Sequence, residues 1–365
     1  MAPNPVWSGE LISLAGTEVF VRTAPAAGEN PAAEPVLCVH GFGGSSNNWT
    51  DLMYLLSRPS PDDPARARVV GGTSDTGDTG AVPPAFHCEA LDLPGFGFSP
   101  PSDASCTVSG QAALVAQFIE HRYHGPVHLV GNSFGGAVCT RVAATRPDLV
   151  RTLTLVAPAM PDLLIRPVAA HFPALCVPKF GSWLLRRMHK MPAQARVEAS
   201  IATIYYDRTR VHPDRIAADV AEVERRDALG YGDAVLVRCA RSIVAEYLRL
   251  GRNSLWRDAA RVTAPALVIY GSHDKIVDPR MAGRAARSFP RSRVVVLPRT
   301  GHVAQMERPA VVEAEFRRMV AAPEQADELR EAAAAGQAGA DGRSQARGKS
   351  LGDAPGNEPR ALPVM

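Results

Sequence analysis

The stretch VHLVGNSFGGAV, residues 127–138, decides the fold of this 365-residue chain. An apolar run ends at Gly131, a single hydroxyl follows at Ser133, and a helix-like segment begins after it with two glycines. A strand that passes directly into a helix is typical of α/β sheets. The small neighbours of Ser133 predict a tight corner that exposes its oxygen at the sheet edge. The alternative is an ordinary turn in which Ser133 caps the helix.

Short apolar runs bounded by Gly or Pro lie on both sides of this stretch and alternate with amphipathic segments. Their near-continuous apolar character indicates strands that are covered on both faces. The predicted strands are 35–41, 86–95, 126–133, 151–158, 265–271 and 292–298, and the predicted helices are 50–57, 107–123, 135–146, 279–288 and 308–321. Residues 9–24 are predicted to form an antiparallel hairpin. The sequence therefore predicts an α/β fold with a doubly wound, mostly parallel sheet.

The alternation of strands and helices stops between residues 159 and 260. This block is helical in pattern and holds 16 Lys and Arg against 11 Asp and Glu. Because it lies between two predicted strands, we expect an inserted helical cap on a core made of residues 6–158 and 261–322. Residues 58–84, rich in Pro, Gly, Asp and Thr, predict a flexible insertion. Residues 323–365 predict a disordered tail.

Composition excludes several classes of function. The formal net charge of +3 is too small to favour a nucleic-acid partner. The six cysteines are scattered without C-x-x-C spacing, which argues against zinc and favours a reducing cytoplasm. No apolar run reaches the ~18 residues of a membrane span, and the N-terminus lacks the pattern of a signal peptide. We therefore expect a cytoplasmic protein with no metal and no cofactor.

Two later loops supply the groups that would activate a serine. A Ser hydroxyl becomes a good nucleophile when a base takes its proton, and the base needs an orienting carboxylate. In a sheet of this kind the order along the chain is Ser, acid, His. VIYGSHDKIVDP places Asp274 after one predicted strand, and VVVLPRTGHVAQMERP places His302 after the next. Asp278 is the rival acid, but it precedes Pro279 and is expected to cap the next helix.

An oxyanion that forms at such a serine needs fixed donors, usually two backbone amides. One is expected from Phe134, the residue after Ser133. The other is expected from Phe42 in VHGFGGSSNNW, where glycines let the backbone approach closely. A phosphate-binding loop is the alternative, but neither G-x-x-x-x-G-K-[ST] nor G-x-G-x-x-G is present.

Together, HGFGG, DLPGFGFS, GNSFGG and the pair GSHDKIVDP with GHVAQMERP resemble the α/β-hydrolase superfamily over roughly residues 9–321. The resemblance implies a capped hydrolase fold and maps the nucleophile, acid and base onto Ser133, Asp274 and His302. DLPGFGFS carries no catalytic group in this interpretation, and Asp92 is expected to be structural.

The residues also indicate a branch of the family. A serine nucleophile argues against the epoxide hydrolases and haloalkane dehalogenases, whose elbows carry Asp. GNSFGG and residues 206–216 resemble the meta-cleavage product hydrolases, which cut carbon–carbon bonds, but Val303 stands where a Trp is common. A carboxylic ester or related acyl substrate, cleaved through an acyl-enzyme as in esterases and lipases, is therefore favoured. A carbon–carbon hydrolase, a non-catalytic ligand-binding receptor on the same fold and an accessory perhydrolase activity stay open as alternatives.

FPALCVPKFGSWLLRRMHKM, residues 172–191, is the most distinctive part of the predicted cap. It could form an apolar wall for a small, apolar substrate, or a basic amphipathic face for anionic lipid. The favoured interpretation is a helix that buries Leu and Trp183 and leaves its arginines in water, with membrane contact as the minor alternative. The sequence makes no prediction of oligomeric state.

Overall fold

The computed structural model of the protein describes residues 7–28, 33–59, 85–102, 106–162, 166–249, 251 and 254–321. The predicted insertion lies outside the described residues from residue 60 onward. The predicted tail lies wholly outside them.

One eight-stranded sheet forms the centre of the molecule, with the strand order β1-β2-β4-β3-β5-β6-β7-β8. The strands are β1 Gly9–Leu14, β2 Thr17–Ala24, β3 Pro35–Val39, β4 His87–Leu91, β5 Val127–Asn132, β6 Val150–Val156, β7 Ala266–Gly271 and β8 Ser292–Leu297. β2 pairs antiparallel with β1 and with β4, and all the other neighbours pair in parallel. The predicted hairpin at the edge and the predicted parallel strands are confirmed.

The helices lie between the strands. They are α1 Thr50–Leu56, α2 Val108–Arg122, α3 Phe134–Thr145, α4 His171–Cys176, α5 Phe180–His189, α6 Ala193–Ile204, α7 Pro213–Ala228, α8 Gly232–Leu248, α9 Leu255–Ala259, α10 Met281–Ser288, α11 Ala304–Glu307 and α12 Pro309–Ala321. None of the helices in the described residues is both long and apolar enough to cross a membrane.

Alternate residues of each central strand belong to different hydrophobic clusters. Leu37 and Leu129 pack in one cluster, whereas Cys38 and Val130, the next residues along, pack in the other. Side chains alternate between the faces of a strand, so both faces of this sheet are covered. Residues of α2, α3 and α10 belong to the first cluster, and residues of α1 and α12 to the second. This double covering explains the apolar runs in the sequence.

The α/β fold class is confirmed. Helices α4 to α9 occupy the chain between β6 and β7, where the inserted helical cap is predicted, and they are called the cap. The exact domain boundaries stay a prediction. Because the strands from β3 to β8 are parallel, their carboxyl ends share one edge of the sheet. Residues that follow β3, β5, β7 and β8 are therefore brought near one another.

Candidate active site

Ser133 occupies the sharp corner between β5 and α3. Its backbone has φ 53° and ψ −116°, and non-glycine residues rarely adopt a positive φ. The Ser133 amide donates to the carbonyl of Val156 on the neighbouring strand at 3.0 Å, which holds the corner against the sheet. A strained residue that is fixed in this way is typical of functional sites.

The glycines around Ser133 are required by close backbone contacts. A Cβ at Gly131 would lie 2.6 Å from the carbonyl oxygen of Gly135. A Cβ at Gly135 would collide with the backbone carbonyls of Val39 and His40 at the end of β3. The pattern G-x-S-x-G is therefore dictated by the packing of α3 on β5 and β3.

His302 and Asp274 form a buried hydrogen-bonded pair at the same edge. His302 Nδ1 lies 2.7 Å from Asp274 Oδ2. The other carboxylate oxygen accepts the amides of Ile276 at 2.7 Å and Val277 at 3.0 Å. These amides fix the carboxylate, so it is aimed at Nδ1. That arrangement leaves Nε2 as the nitrogen free to accept a proton.

The structure places Ser133 beside this pair without joining it to His302. Among the described residues, no hydrogen bond within 3.5 Å connects the Ser133 hydroxyl to His302. The Asn132 side chain bridges the two loops, because its amide donates to the His302 carbonyl at 3.3 Å. Bonds from nucleophile to base often tighten only when substrate is bound. The geometry is compatible with the predicted triad, whose roles stay a prediction.

Glu307 holds the loop that carries His302 in place through hydrogen bonds, a role that the sequence analysis missed. Its buried carboxylate accepts the amide of Gly301 at 2.7 Å and the cap amides of Tyr206 at 3.2 Å and Asp207 at 2.9 Å. The His302 amide donates directly to the carbonyl of Ile204 at the end of α6. The cap backbone and Glu307 therefore set the position of His302. The only signal in the sequence was an acid inside the short helix after the histidine.

The loop after β3 carries Phe42, whose amide is one of the two predicted to bind an oxyanion; the other is the amide of Phe134, next to Ser133. A Cβ at Gly41 would lie 3.1 Å from the Ser133 Cβ, so this backbone passes close to the hydroxyl. His40 Nδ1 lies 2.7 Å from the Gly41 carbonyl, and its Nε2 accepts the amide of Leu93 at 3.0 Å. Burial lowers the pKa of His40 to about 4, so it is neutral and braces the loop.

Phe42 follows Gly41 in this loop, and Phe134 is the first residue of α3. An amide at the first position of a helix has no carbonyl one turn earlier to bond, so that of Phe134 is available to a ligand. The Phe42 side chain packs partly buried against Phe96, with ring centroids 6.3 Å apart. The assignment of both amides to an oxyanion hole stays a prediction.

A second carboxylate, Glu222 of α7, lies over the same loop and was also missed. Its Oε2 accepts the Ser45 hydroxyl at 2.7 Å and the Asn47 side-chain amide at 3.1 Å. Arg226, one turn further along α7, donates to the Gly43 carbonyl at 3.3 Å. Burial raises the pKa of Glu222, partly offset by the Ser45 hydrogen bond. The cap thus holds the loop after β3 through a partly buried acid.

A cavity of about 120 Å³ opens beside Ser133. Most of its wall is aliphatic, and none of the described residues that line it is charged. The lining residues are Ser133, Ala159, Ala169, Pro173, Ile243, Val244, Tyr247, Leu248, Ile276 and Val277. The wall thus includes Ser133, the loop that follows Asp274, and helices α4 and α8 of the cap.

The two other acids considered from the sequence have structural partners. Asp278 accepts the amide of Arg280 at 3.0 Å and pairs with Arg166 at 3.4 Å. It precedes α10, but the N-cap residue is Arg280 and no side chain caps the helix, so the expected cap by Asp278 was wrong. Asp92 is fully buried and accepts the amides of Ser46 at 2.5 Å and Phe98 at 2.8 Å. Neither carboxylate contacts His302. Within the described ranges, no cluster of three His, Cys, Asp or Glu could hold a metal ion.

Comparisons with known proteins agree with this architecture. A sequence model of the alpha/beta hydrolase fold matches residues 34–309. The chain belongs to the α/β-hydrolase family. The family match, together with lipase and esterase relatives, supports a hydrolase.

Individual relatives are distant. A monoacylglycerol lipase of Homo sapiens is 26% identical over 76% of this chain and 73% of its own length. The dihydrolipoyllysine-residue acetyltransferase component of the acetoin cleaving system is 34% identical over 34% of this chain in Cupriavidus necator and 27% identical over 75% in Pseudomonas putida. Those matches span only 27% and 60% of the acetyltransferase components.

Solved structures show the shared fold. The 2-hydroxy-6-oxo-6-phenylhexa-2,4-dienoate hydrolase from Rhodococcus sp. strain RHA1 has a TM-score of 0.62 at 18% identity, covering 85% of this chain and 99% of its own. At this identity the likeness is one of fold alone.

Proposed function

We propose that the protein is a serine hydrolase that cleaves carboxylic esters of apolar acyl groups through an acyl-enzyme. One observation carries the proposal. Asp274, pinned by two backbone amides, holds His302 Nδ1 at 2.7 Å at the same sheet edge as the strained Ser133 corner. A carboxylate, an imidazole and a hydroxyl that follow three parallel strands in this order are typical of acyl transfer.

In the proposed reaction, the Ser133 oxygen attacks the ester carbonyl while His302 Nε2 takes its proton. The charge on the carbonyl oxygen is held by the amides of Phe42 and Phe134. Asp274 stabilises the imidazolium, which then gives the proton to the leaving alcohol. Water enters, loses a proton to His302 and releases the acid from Ser133.

The cavity supports an uncharged, apolar acyl group as the substrate. Its wall is aliphatic and holds no cation among the described residues. A meta-cleavage substrate carries a carboxylate, which would need a positive partner or pay a large desolvation cost in such a site. An ester is therefore favoured over carbon–carbon cleavage.

Replacement of Ser133 tests the mechanism. With p-nitrophenyl esters of graded acyl length, Ser133→Ala is expected to lower kcat/KM at least about a thousandfold, because the nucleophile is lost. It should also abolish labelling by a fluorophosphonate. Ser200→Ala, at an exposed position on α6, is the matched control and should behave as wild type. Unchanged turnover in Ser133→Ala would remove the assignment.

The same panel separates the alternatives. Cleavage of a vinylogous diketone acid in preference to the esters would establish the carbon–carbon hydrolase. Labelling of Ser133 with negligible turnover of every substrate would instead favour a ligand-binding receptor.

We also propose that the enzyme works in the cytoplasm on a small-molecule substrate. None of the six cysteines forms a disulfide with another described residue, and five of them are buried. Free buried thiols persist most readily in a reducing compartment, which supports this location.

A further inference from the structure

Helix α5 presents a large apolar surface to solvent. Phe180, Trp183 and Met188 are 47%, 50% and 42% exposed, and Val177 and Met191 at its two ends are exposed as well. The rings of Phe180 and Trp183 stack on each other with centroids 5.5 Å apart. These residues are large side chains that globular proteins usually bury, and here they are exposed on or beside one short helix.

The orientation of α5 is fixed by its opposite side. Gly181 and Leu185, four residues apart, are buried against the rest of the cap. Phe180, Trp183 and Arg187 are spaced three and four residues apart, so they share the face that points away from it. The aromatic residues are therefore held outward by the packing of the helix.

Positive charge surrounds the same residues. Between Asp162 and Glu198 the sequence contains six Lys and Arg and no Asp or Glu. The four of them on or beside α5 form no ion pair with any described residue; they are Lys179, Arg186, Arg187 and Lys190. Arg196, on the next helix, differs from them in pairing with Asp227.

The exposed surface of α5 follows the wall of the cavity beside Ser133 closely along the chain. Pro173 of α4 lines the cavity, and α4 is joined to α5 by only Val177–Lys179. Leu248, another lining residue, is 75% exposed and opens the cavity outward. The chain therefore passes from the cavity wall to the exposed face of α5 within a few residues.

Exposed aromatic and Met side chains that lie beside unpaired cations match an anionic bilayer, in which an apolar interior lies beneath negatively charged phosphates. Acyl chains accept the apolar side chains, while lipid phosphates lie at the level of the cations. We propose that Val177, Phe180, Trp183, Met188 and Met191, together with Lys179, Arg186, Arg187 and Lys190, form a docking face that binds reversibly to anionic phospholipid membranes. Given the proposed function, an ester dissolved in the membrane enters the cavity directly from this face.

Vesicle co-sedimentation tests the docking face. The full chain carrying Ser133→Ala is mixed with vesicles of phosphatidylcholine alone or of phosphatidylcholine with phosphatidylglycerol. We expect binding to the mixed vesicles that weakens with salt, and little binding to the neutral ones. Because the nucleophile is absent in this variant, the outcome does not depend on the proposed hydrolysis.

Two variants locate the binding. Arg186→Glu with Arg187→Glu should reduce partition onto the mixed vesicles at least about tenfold, and Trp183→Ser should reduce it severalfold. Arg208→Glu with Arg287→Glu, at exposed sites elsewhere, makes the same change in net charge and should reduce it far less. In the background with Ser133 intact, turnover of a soluble acetate ester should be unchanged, which shows that the variants fold.

Other outcomes overturn the proposal. Equal losses in the face variants and in the control pair would reduce the effect to net charge. Failure of the wild-type chain to bind mixed vesicles would remove the docking face. A concentration-dependent dimer that Trp183→Ser disperses, without vesicle binding, would assign the surface to a second copy of the chain.

Discussion

The two halves of the cap meet the core in different ways. The half formed by α6 and α7 is held by directed polar contacts: Glu222 to the loop after β3, Arg215 to Asp51 at 3.0 Å, and the backbone around Ile204 to the histidine loop. The half formed by α4 and α5 packs in an apolar cluster of cap residues, Leu175, Leu185 and Ala240, and the core adds Phe42 to this cluster.

This difference separates two tasks. Hydrogen bonds fix distances and angles, so the polar half sets the geometry of the residues proposed to react. Apolar contacts tolerate sliding and exchange of side chains, so the other half suits a wall that meets substrates of varied shape. Changes in the polar half should therefore alter kcat, whereas changes in the apolar half should alter which substrates the enzyme accepts.

Among the changes that test this division of tasks, the largest effect is expected from Glu307→Ala. Three amides lose their acceptor, so the free energy of unfolding should fall by about 2–4 kcal/mol. We expect kcat for a soluble ester to drop at least about a hundredfold, because His302 loses its support. Chemical denaturation and steady-state kinetics measure both quantities.

Two controls sharpen this test. Glu315→Ala removes partly exposed ion pairs to Arg293 and Arg318 and should cost no more than about 1 kcal/mol. Trp183→Ser, in the apolar half, should keep its kcat. A Glu307→Ala enzyme as active as wild type would show that the two halves do not divide the work in this way.

A smaller effect is expected from Glu222→Ala. The loop after β3 loses the bonds from Ser45 and Asn47, so the proposed oxyanion donors are less well placed. We expect kcat to fall about tenfold with KM nearly unchanged, because the loop matters most when charge develops. Glu224→Ala, at an exposed position on the same helix, is the matched control. A change confined to KM would instead make Glu222 a determinant of substrate binding.

The smallest effect concerns Asp219, also on α7. Burial, together with the charge of Glu222, raises the pKa of Asp219 to about 7, and Arg215 opposes the shift. Tyr205, Asp51 and Glu307 lie in the same electrostatic neighbourhood. A carboxyl whose pKa is raised by folding favours the folded state most at pH below its unfolded value, near 3.8, and this contribution is lost as pH rises to about 7.

Asp219→Asn should therefore be indistinguishable in stability from wild type near pH 4 and gain on it as pH rises, by about 1 kcal/mol or more above pH 7. Urea denaturation at several pH values measures the difference. A constant offset at all pH values would show that Asp219 does not titrate in this range.

Much of the site was predictable because local constraints reveal it. The glycines beside Ser133 follow from carbonyl contacts that no side chain could share, and the positions of Asp274 and His302 follow from parallel strands ending at one edge. The expected burial of Trp183 was wrong: Leu185 is buried, but Trp183 is half exposed.

Glu222 and Glu307 were missed for a physical reason. Each acts through partners about a hundred or more residues away along the chain, such as Ser45 for Glu222 and Tyr206 for Glu307. A single carboxylate on an amphipathic helix has no local pattern that distinguishes a buried anchor from a solvated charge. Only the packing of the cap on the core reveals which acid faces inward.

The bond from the His302 amide to the Ile204 carbonyl restricts how this enzyme can open. If the whole cap moved away as one rigid body, the Ile204 carbonyl would move with it. His302, the proposed base, would then lose this hydrogen bond and its fixed position. Admission of substrate must therefore be local, at α4 and α5, while α6 and α7 stay seated. Deleting or exchanging the entire cap should therefore give an inactive protein, and not an active enzyme with an open site.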